Sequence, residues 1–94
     1  MITLRIEHKI ANYEGWKKAF DSDPINRKQS GVKRYRVYKA TDDDLFIIIE
    51  LDFDSQEEAK STQVALHRIF GNINGKIIFG PQTRMLTLVE ATEV

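Results

Sequence analysis

The chain has 94 residues, no cysteine, and 14 basic against 14 acidic side chains. The lack of cysteine excludes disulfides, thiolate metal centres and cysteine nucleophiles, and the balanced charge argues against a nucleic-acid partner, which calls for a basic surplus. No apolar run approaches the roughly 20 residues needed to cross a bilayer, and the opening "MITLRIEHKI" is too polar for the core of a signal peptide.

The expectation is therefore one domain, residues 1–94, cytoplasmic, with no membrane partner. A domain of this size buries only about 60–65% of the surface its unfolded chain exposes. Its stability has to come from the core and from a partner subunit.

Residues 2–10 alternate. Ile2, Leu4, Ile6, His8 and Ile10 share one side, and Thr3, Arg5, Glu7 and Lys9 share the other, the pattern of a strand with one apolar face. Asn12 is a good N-cap for a helix whose apolar stripe is Tyr13, Trp16 and Phe20. "DSDP" breaks that helix. Asp23 followed by Pro24 reads as a second N-cap with proline at the first helical position, opening a short helix over "INRKQS" that stops at Gly31.

"VKRYRVYK" (32–39) reads as a strand, "ATDDD" as a turn, and "LFIIIELDF" (45–53) as the most apolar, central strand. Ser55 with Glu58 forms a capping box. The helix it opens turns Ala59, Leu66, Ile69 and Phe70 inward and is expected to end at Gly71. "GNINGKIIFGP" is rich in Gly, Asn and Pro and reads as a loop or short arm, and "QTRMLTLVE" as the last strand. The order β-α-β-β-α-β predicts an α+β, ferredoxin-like fold: four antiparallel strands with both main helices on one face.

A five-residue hairpin turn would set Arg34 opposite Glu50 and Arg36 opposite Ile48. Arg34, Arg36, Tyr38, Phe46, Ile48, Glu50 and Asp52 then share one face with Arg5 and Glu7, and Tyr35, Val37, Ile47, Ile49 and Leu51 share the helix-covered face. The first face is too apolar for water and too charged for an ordinary core. It suits a homodimer closed sheet against sheet, in which Arg5, Arg34, Arg36 and Glu50 form an ionic network.

The stretch "LRIEHKIANYEGWKKAFDSDPINRKQSGVKRYRVYKATDDD", followed by "DFDSQEEA" and "GPQTRML", resembles the dimeric α+β barrel superfamily. The likeness is strongest to its cyclase-like and antibiotic-biosynthesis-monooxygenase-like branch. That resemblance implies a homodimer joined through the sheet faces. It also implies a pocket between the sheet and the helices of each subunit, and an activity drawn from a range that includes cofactor-free oxygenases, lactone isomerases and haem-degrading enzymes.

Several residues bear on chemistry. His8 lies on the helix side at a strand end, close to where Trp16 falls. It is either a neutral general base in a small apolar pocket or a histidine bonded to nearby backbone. Tyr13, Trp16 and Phe20 have ordinary core spacing that a pocket wall also satisfies. Tyr35 points inward and needs a partner for its hydroxyl.

His67 occupies the helix in which the haem-degrading relatives carry an axial histidine. The tryptophan expected in that helix is missing, which argues against haem, and a helix-end histidine is favoured by the dipole in any case. Asp21 is a partner for Arg27 or Arg34. Asp42, Asp43 and Asp44 lack the ligand spacing of a calcium loop. The expectation is a small organic ligand, bound with no metal and no cofactor. It is met either by an enzyme of monooxygenase or isomerase type with His8 as base, or by a non-catalytic dimeric module.

Overall fold

The alternating N-terminal segment forms strand β1 (Ile2–Ile10) in a computed structural model that describes all residues, Met1–Val94. Leu4, Ile6, His8 and Ile10 are buried, while Thr3, Arg5 and Glu7 stay partly open. The chain continues through α1 (Tyr13–Asp21), the single turn α2 (Arg27–Ser30), β2 (Arg34–Ala40), β3 (Asp43–Phe53), α3 (Gln56–Ile73) and β4 (Ile78–Thr87). The strands form one antiparallel sheet in the order β2-β3-β1-β4, the ferredoxin-like α+β arrangement. No helix is long and apolar enough to cross a membrane.

The core lies between the sheet and the two long helices. Leu4, Ile6, Ile10, Ile47, Ile49, Leu51 and Phe53 rise from the two central strands and Ile78 from β4, to meet Trp16 of α1 and Ala59, Leu66 and Phe70 of α3. Both long helices begin at the expected caps. Asn12 Oδ1 accepts the Gly15 N–H at 2.7 Å, and Ser55 Oγ accepts the Glu58 N–H at 3.2 Å.

Four local expectations are corrected. Asp23 does not cap a helix beginning at Pro24. It adopts φ 55°, and its carboxylate accepts the N–H of Arg27 at 2.9 Å, so Pro24 and Ile25 lie in a turn and the helical turn begins at Arg27. Gly31 ends that turn at φ 98°, a left-handed backbone that favours glycine, and a Cβ there would push the Glu58 carboxylate aside.

The hairpin register differs by two residues: Arg34 faces Asp52 and Arg36 faces Glu50. The strands run on until Ala40 pairs with Asp43, and β3 bulges beside Lys39 and Ala40. The acidic turn residues can join the ladder because Lys9 and Lys39 stand 3.4 and 3.3 Å from Asp43 and Asp44. A shift of two preserves side-chain parity, so the two faces are those expected.

α3 runs through Gly71 to Ile73, whose side chain packs on the core, and burial there outweighs the weak helix propensity of glycine. β4 starts at Ile78, not Gln82, because Ile78 is buried and pairs with Ile10. It ends at Thr87, which faces Ile2 at the start of β1.

The face away from the helices centres on Asp52, which is 1% exposed. Its carboxylate accepts from Thr3 Oγ1 (2.7 Å), Arg34 Nε (2.8 Å), and Arg36 Nη1 and Nη2 (2.8 and 3.1 Å), while Arg36 Nε donates to Glu50 at 3.1 Å. Arg5 stands beside this network and pairs with Glu7 at 3.5 Å. The Arg36 guanidinium, helped by Thr3 and Arg34, holds the Asp52 carboxyl well below the usual carboxylate range, against the opposing effect of burial.

A carboxyl whose folded pKa is depressed stabilises the fold above its unfolded value, near 4, and loses that contribution as pH falls below it. Asp52→Asn should cost about 3 kcal/mol at pH 7, the lower end for breaking a buried pair, because Glu50 still answers Arg36. The variant should also lose less stability than the native chain between pH 4 and 2. Urea denaturation midpoints across that pH range check both outcomes.

Candidate functional site

An apolar cavity of about 230 Å³ lies between the sheet and the helices. Ile6 and His8 of β1, Ile49 and Leu51 of β3 and Ile78 of β4 form its sheet side. Trp16, Ala19 and Phe20 of α1, the 22–27 segment, and Leu66, Ile69, Phe70 and Ile73 of α3 close the rest. The buried lining residues, His8 and Trp16 among them, mark its depth. The exposed Ser22 and Pro24 mark its mouth, where the chain leaves α1.

His8 reaches this cavity by strand parity, and the local backbone reinforces its placement. On one side it pairs with Ile47. On the other it has no partner: Glu7 pairs with Gln82 and Lys9 with Phe79, leaving Gly80 and Pro81 as a bulge in β4. Gly80 takes φ 61°, and Pro81 has no N–H to give to a ladder. The apolar row of β1 therefore admits one polar ring at the point where its neighbour strand is interrupted.

The ring is 2% exposed and stands 6.2 Å from Trp16 and 6.4 Å from Phe70 between centroids. Burial lowers its pKa from the usual histidine value, opposed by its hydrogen bond to the Lys9 carbonyl, so the ring is neutral at pH 7. Nδ1 lies 3.2 Å from that carbonyl oxygen. A carbonyl only accepts, so Nδ1 carries the proton and Nε2 presents a bare lone pair. Nε2 has no protein partner. Thr62 Oγ1 is the one buried side-chain polar atom without a partner, so Nε2 opens onto free space, and the cavity is the space that His8 lines.

The other residues singled out in the sequence are placed differently. Trp16 is buried in the cavity wall and stacks on Phe20 at 5.1 Å. Tyr13 is about half exposed and packs on the outer side of Trp16 at 5.8 Å, away from the lining. Tyr35 is equally exposed. It meets Phe20 edge-on at 5.3 Å, behind the wall, and does not line the cavity. His67 is an exposed residue whose Nε2 lies 3.2 Å from Thr83 Oγ1, and it too is absent from the lining.

Asp21 pairs with Lys17 at 2.6 Å and with neither arginine. No group of three or more His, Cys, Asp or Glu side chains is arranged to hold a metal ion.

Arg27 is a further wall residue, one that the sequence does not announce. Its guanidinium lies 4.2 Å over the Phe20 ring and 4.9 Å from the Tyr35 ring, and Nη1 donates to the Phe20 carbonyl at 2.9 Å. Nothing in the spacing marks it. Its position follows from the turn at 23–26, whose left-handed residues Asp23 and Asn26 are hard to foresee in a non-glycine segment.

No protein-family model matches the sequence, and no curated protein matches it either. Solved structures do. SnoaB, a cofactor-independent oxygenase from Streptomyces nogalater, is similar with a TM-score of 0.75 at 8% identity, over 96% of this chain and 94% of that one. An antibiotic biosynthesis monooxygenase is similar with a TM-score of 0.68 at 10% identity, over 96% of this chain and all of the other. A dimeric ferredoxin-like protein from an uncultured marine organism is similar with a TM-score of 0.65 at 12% identity, with both chains covered completely. At such identities the likeness speaks for the fold: this chain has the ferredoxin-like α+β architecture shared by antibiotic-biosynthesis-monooxygenase-like structures.

Proposed function

We propose that the protein is a cofactor-independent enzyme that removes a proton from a small organic substrate held in the cavity, with His8 Nε2 as the general base. The observation that carries this reading is a neutral imidazole, oriented by its Nδ1–H bond to Lys9, whose other nitrogen has no protein partner and lines an apolar cavity. The proton passes to Nε2, and the electron pair stays on the substrate as an enolate or phenolate. Reprotonation at another atom makes the reaction an isomerisation, and reaction of that anion with dioxygen makes it an oxygenation. The activity of SnoaB, a cofactor-independent oxygenase of similar fold, supports the second course. Because burial weakens the base, the substrate has to be acidic already: a phenol, or a carbon flanked by carbonyl and ring.

The functional unit in this reading is a homodimer. The open sheet face carries half-buried Phe46 and Ile48 and exposed Tyr38 among Arg5, Arg34, Arg36, Glu50 and Asp52. Closing two such faces removes the apolar groups from water while the Asp52 network keeps the charges paired. Two of the solved structures of similar fold are described as dimeric. Light scattering after size exclusion at micromolar concentration should give twice the chain mass of 10.9 kDa. A clean monomer contradicts the dimer.

The base is tested with 2-tetralone, a two-ring carbon acid, by following exchange of its C1 protons for solvent deuterium. The native protein should accelerate exchange about 100-fold over buffer, the lower end for a positioned base, and His8→Gln should not. The catalysed rate should rise with pH through a value below the ordinary 6.5 of histidine and level off above it, since only the neutral ring accepts a proton. Binding of 2-tetralone without any acceleration would point to the non-catalytic binding module.

A further inference from the structure

We infer that Arg27 makes the mouth of the cavity an anion site, so that the ligand is a one- or two-ring aromatic carboxylate held with its ring inside and its carboxylate on the guanidinium. This inference rests on the cavity's being a ligand site and adds to it the class of molecule that enters.

The lining contains a single charged side chain. Of the sixteen lining residues twelve are hydrophobic, and Arg27 is the one that carries charge at neutral pH, since His8 is neutral. An arginine is always charged, and placing it beside an apolar cavity is costly unless something answers its charge.

The protein answers it only in part. Nη1 donates to the Phe20 carbonyl, and the guanidinium carbon lies 4.2 Å over the Phe20 ring and 4.9 Å over the Tyr35 ring. Asp23 pairs with the guanidinium at 3.4 Å from Nε, but the same Oδ1 also accepts the Arg27 backbone N–H, so this carboxylate oxygen is shared between two donors. Nη2 has no protein partner and is not sealed away, so a donor edge stays free. Ser22, the other polar group at the mouth, gives its hydroxyl to the Ala19 carbonyl. A planar guanidinium held against two rings and the Phe20 carbonyl, with one edge open, is suited to carboxylate recognition.

The rest of the cavity describes the body of the ligand. From Arg27 the wall passes through Phe20 and Trp16 to His8, each ring within 4.2–6.2 Å of the next. The remaining lining includes Ile49 and Leu51 of the sheet and Leu66 and Ile69 of α3. A flat apolar body fits among them. The volume of about 230 Å³ lies below the roughly 300–1,000 Å³ of pockets that take drug-sized ligands, which limits the body to one or two rings. A molecule anchored at Arg27 points its far end toward His8 Nε2. The anchoring group and the reacting group are then at opposite ends of the substrate.

The test compares 2-naphthoate with naphthalene-2-methanol, which share a ring system and differ in charge, by calorimetric titration of the native protein. 2-Naphthoate should bind about tenfold or more tightly than the alcohol, and raising the salt concentration should narrow the gap. Arg27→Met should abolish the preference while leaving the alcohol's affinity within about twofold, since the apolar stem on Phe20 is kept. Arg27→Lys, which keeps charge but not the planar fork, should restore only part of the preference and serves where the Met variant fails to fold. Equal affinity of the native protein for the two probes would overturn the anion site and leave the cavity reading standing. Absence of binding by both would overturn the cavity reading itself.

Discussion

The alternation along β1 is the constraint from which the rest of the structure follows. The strand is central, with β3 on one side and β4 on the other, and its inward row of Leu4, Ile6 and Ile10 is buried to 2% exposure or less. A slip of one residue would carry Arg5 and Glu7 under the helices, where unpaired charges cost several kcal/mol each. The row therefore admits no alternative, and His8 is carried inside with it. A buried imidazole has to be neutral and hydrogen-bonded to be tolerated there. Lys9, the next residue, supplies the bond through its own carbonyl. The neutral state of the ring thus arises from strand geometry and burial, with no second titratable side chain holding it.

The same parity organises the opposite face. There the charges are answered sideways, strand to strand, around Asp52. Three side chains donate to its carboxylate, and Arg36 reaches both Asp52 and its cross-strand neighbour Glu50. Because the network is closed within one chain, it adds no unpaired charge to a face that also shows Phe46 and Ile48. The charges are thereby kept to one face and the apolar cavity to the other.

Much of this was legible in the sequence, for identifiable reasons. Strand parity survives errors of register, so the faces of β2 and β3 were assigned to the right sides even though Arg34 lies across from Asp52 and not Glu50. Asn12 and Ser55 announce their helices because a cap is a local device, complete within four residues. What stayed hidden depends on contacts far apart in sequence. Asp52 as a hub requires Thr3 and Arg36 to be its neighbours. The start of β4 at Ile78 requires Ile10 to pair with it. Arg27 comes to the cavity through a turn with two left-handed non-glycine residues, a conformation that composition does not reveal. The aromatic positions of α1 were legible as a stripe but not as a site, since Trp16 faces the cavity and Tyr13 does not.

What matters at the site is the form of His8 rather than its presence: neutral, with the proton on Nδ1 and a free lone pair on Nε2 facing the cavity. Long-range proton–nitrogen NMR of the labelled imidazole reports both nitrogens directly. At pH 7 and without ligand, Nδ1 should be protonated and Nε2 bare and pyridine-like. A ring protonated on Nε2, or one charged at both nitrogens at that pH, would contradict this assignment.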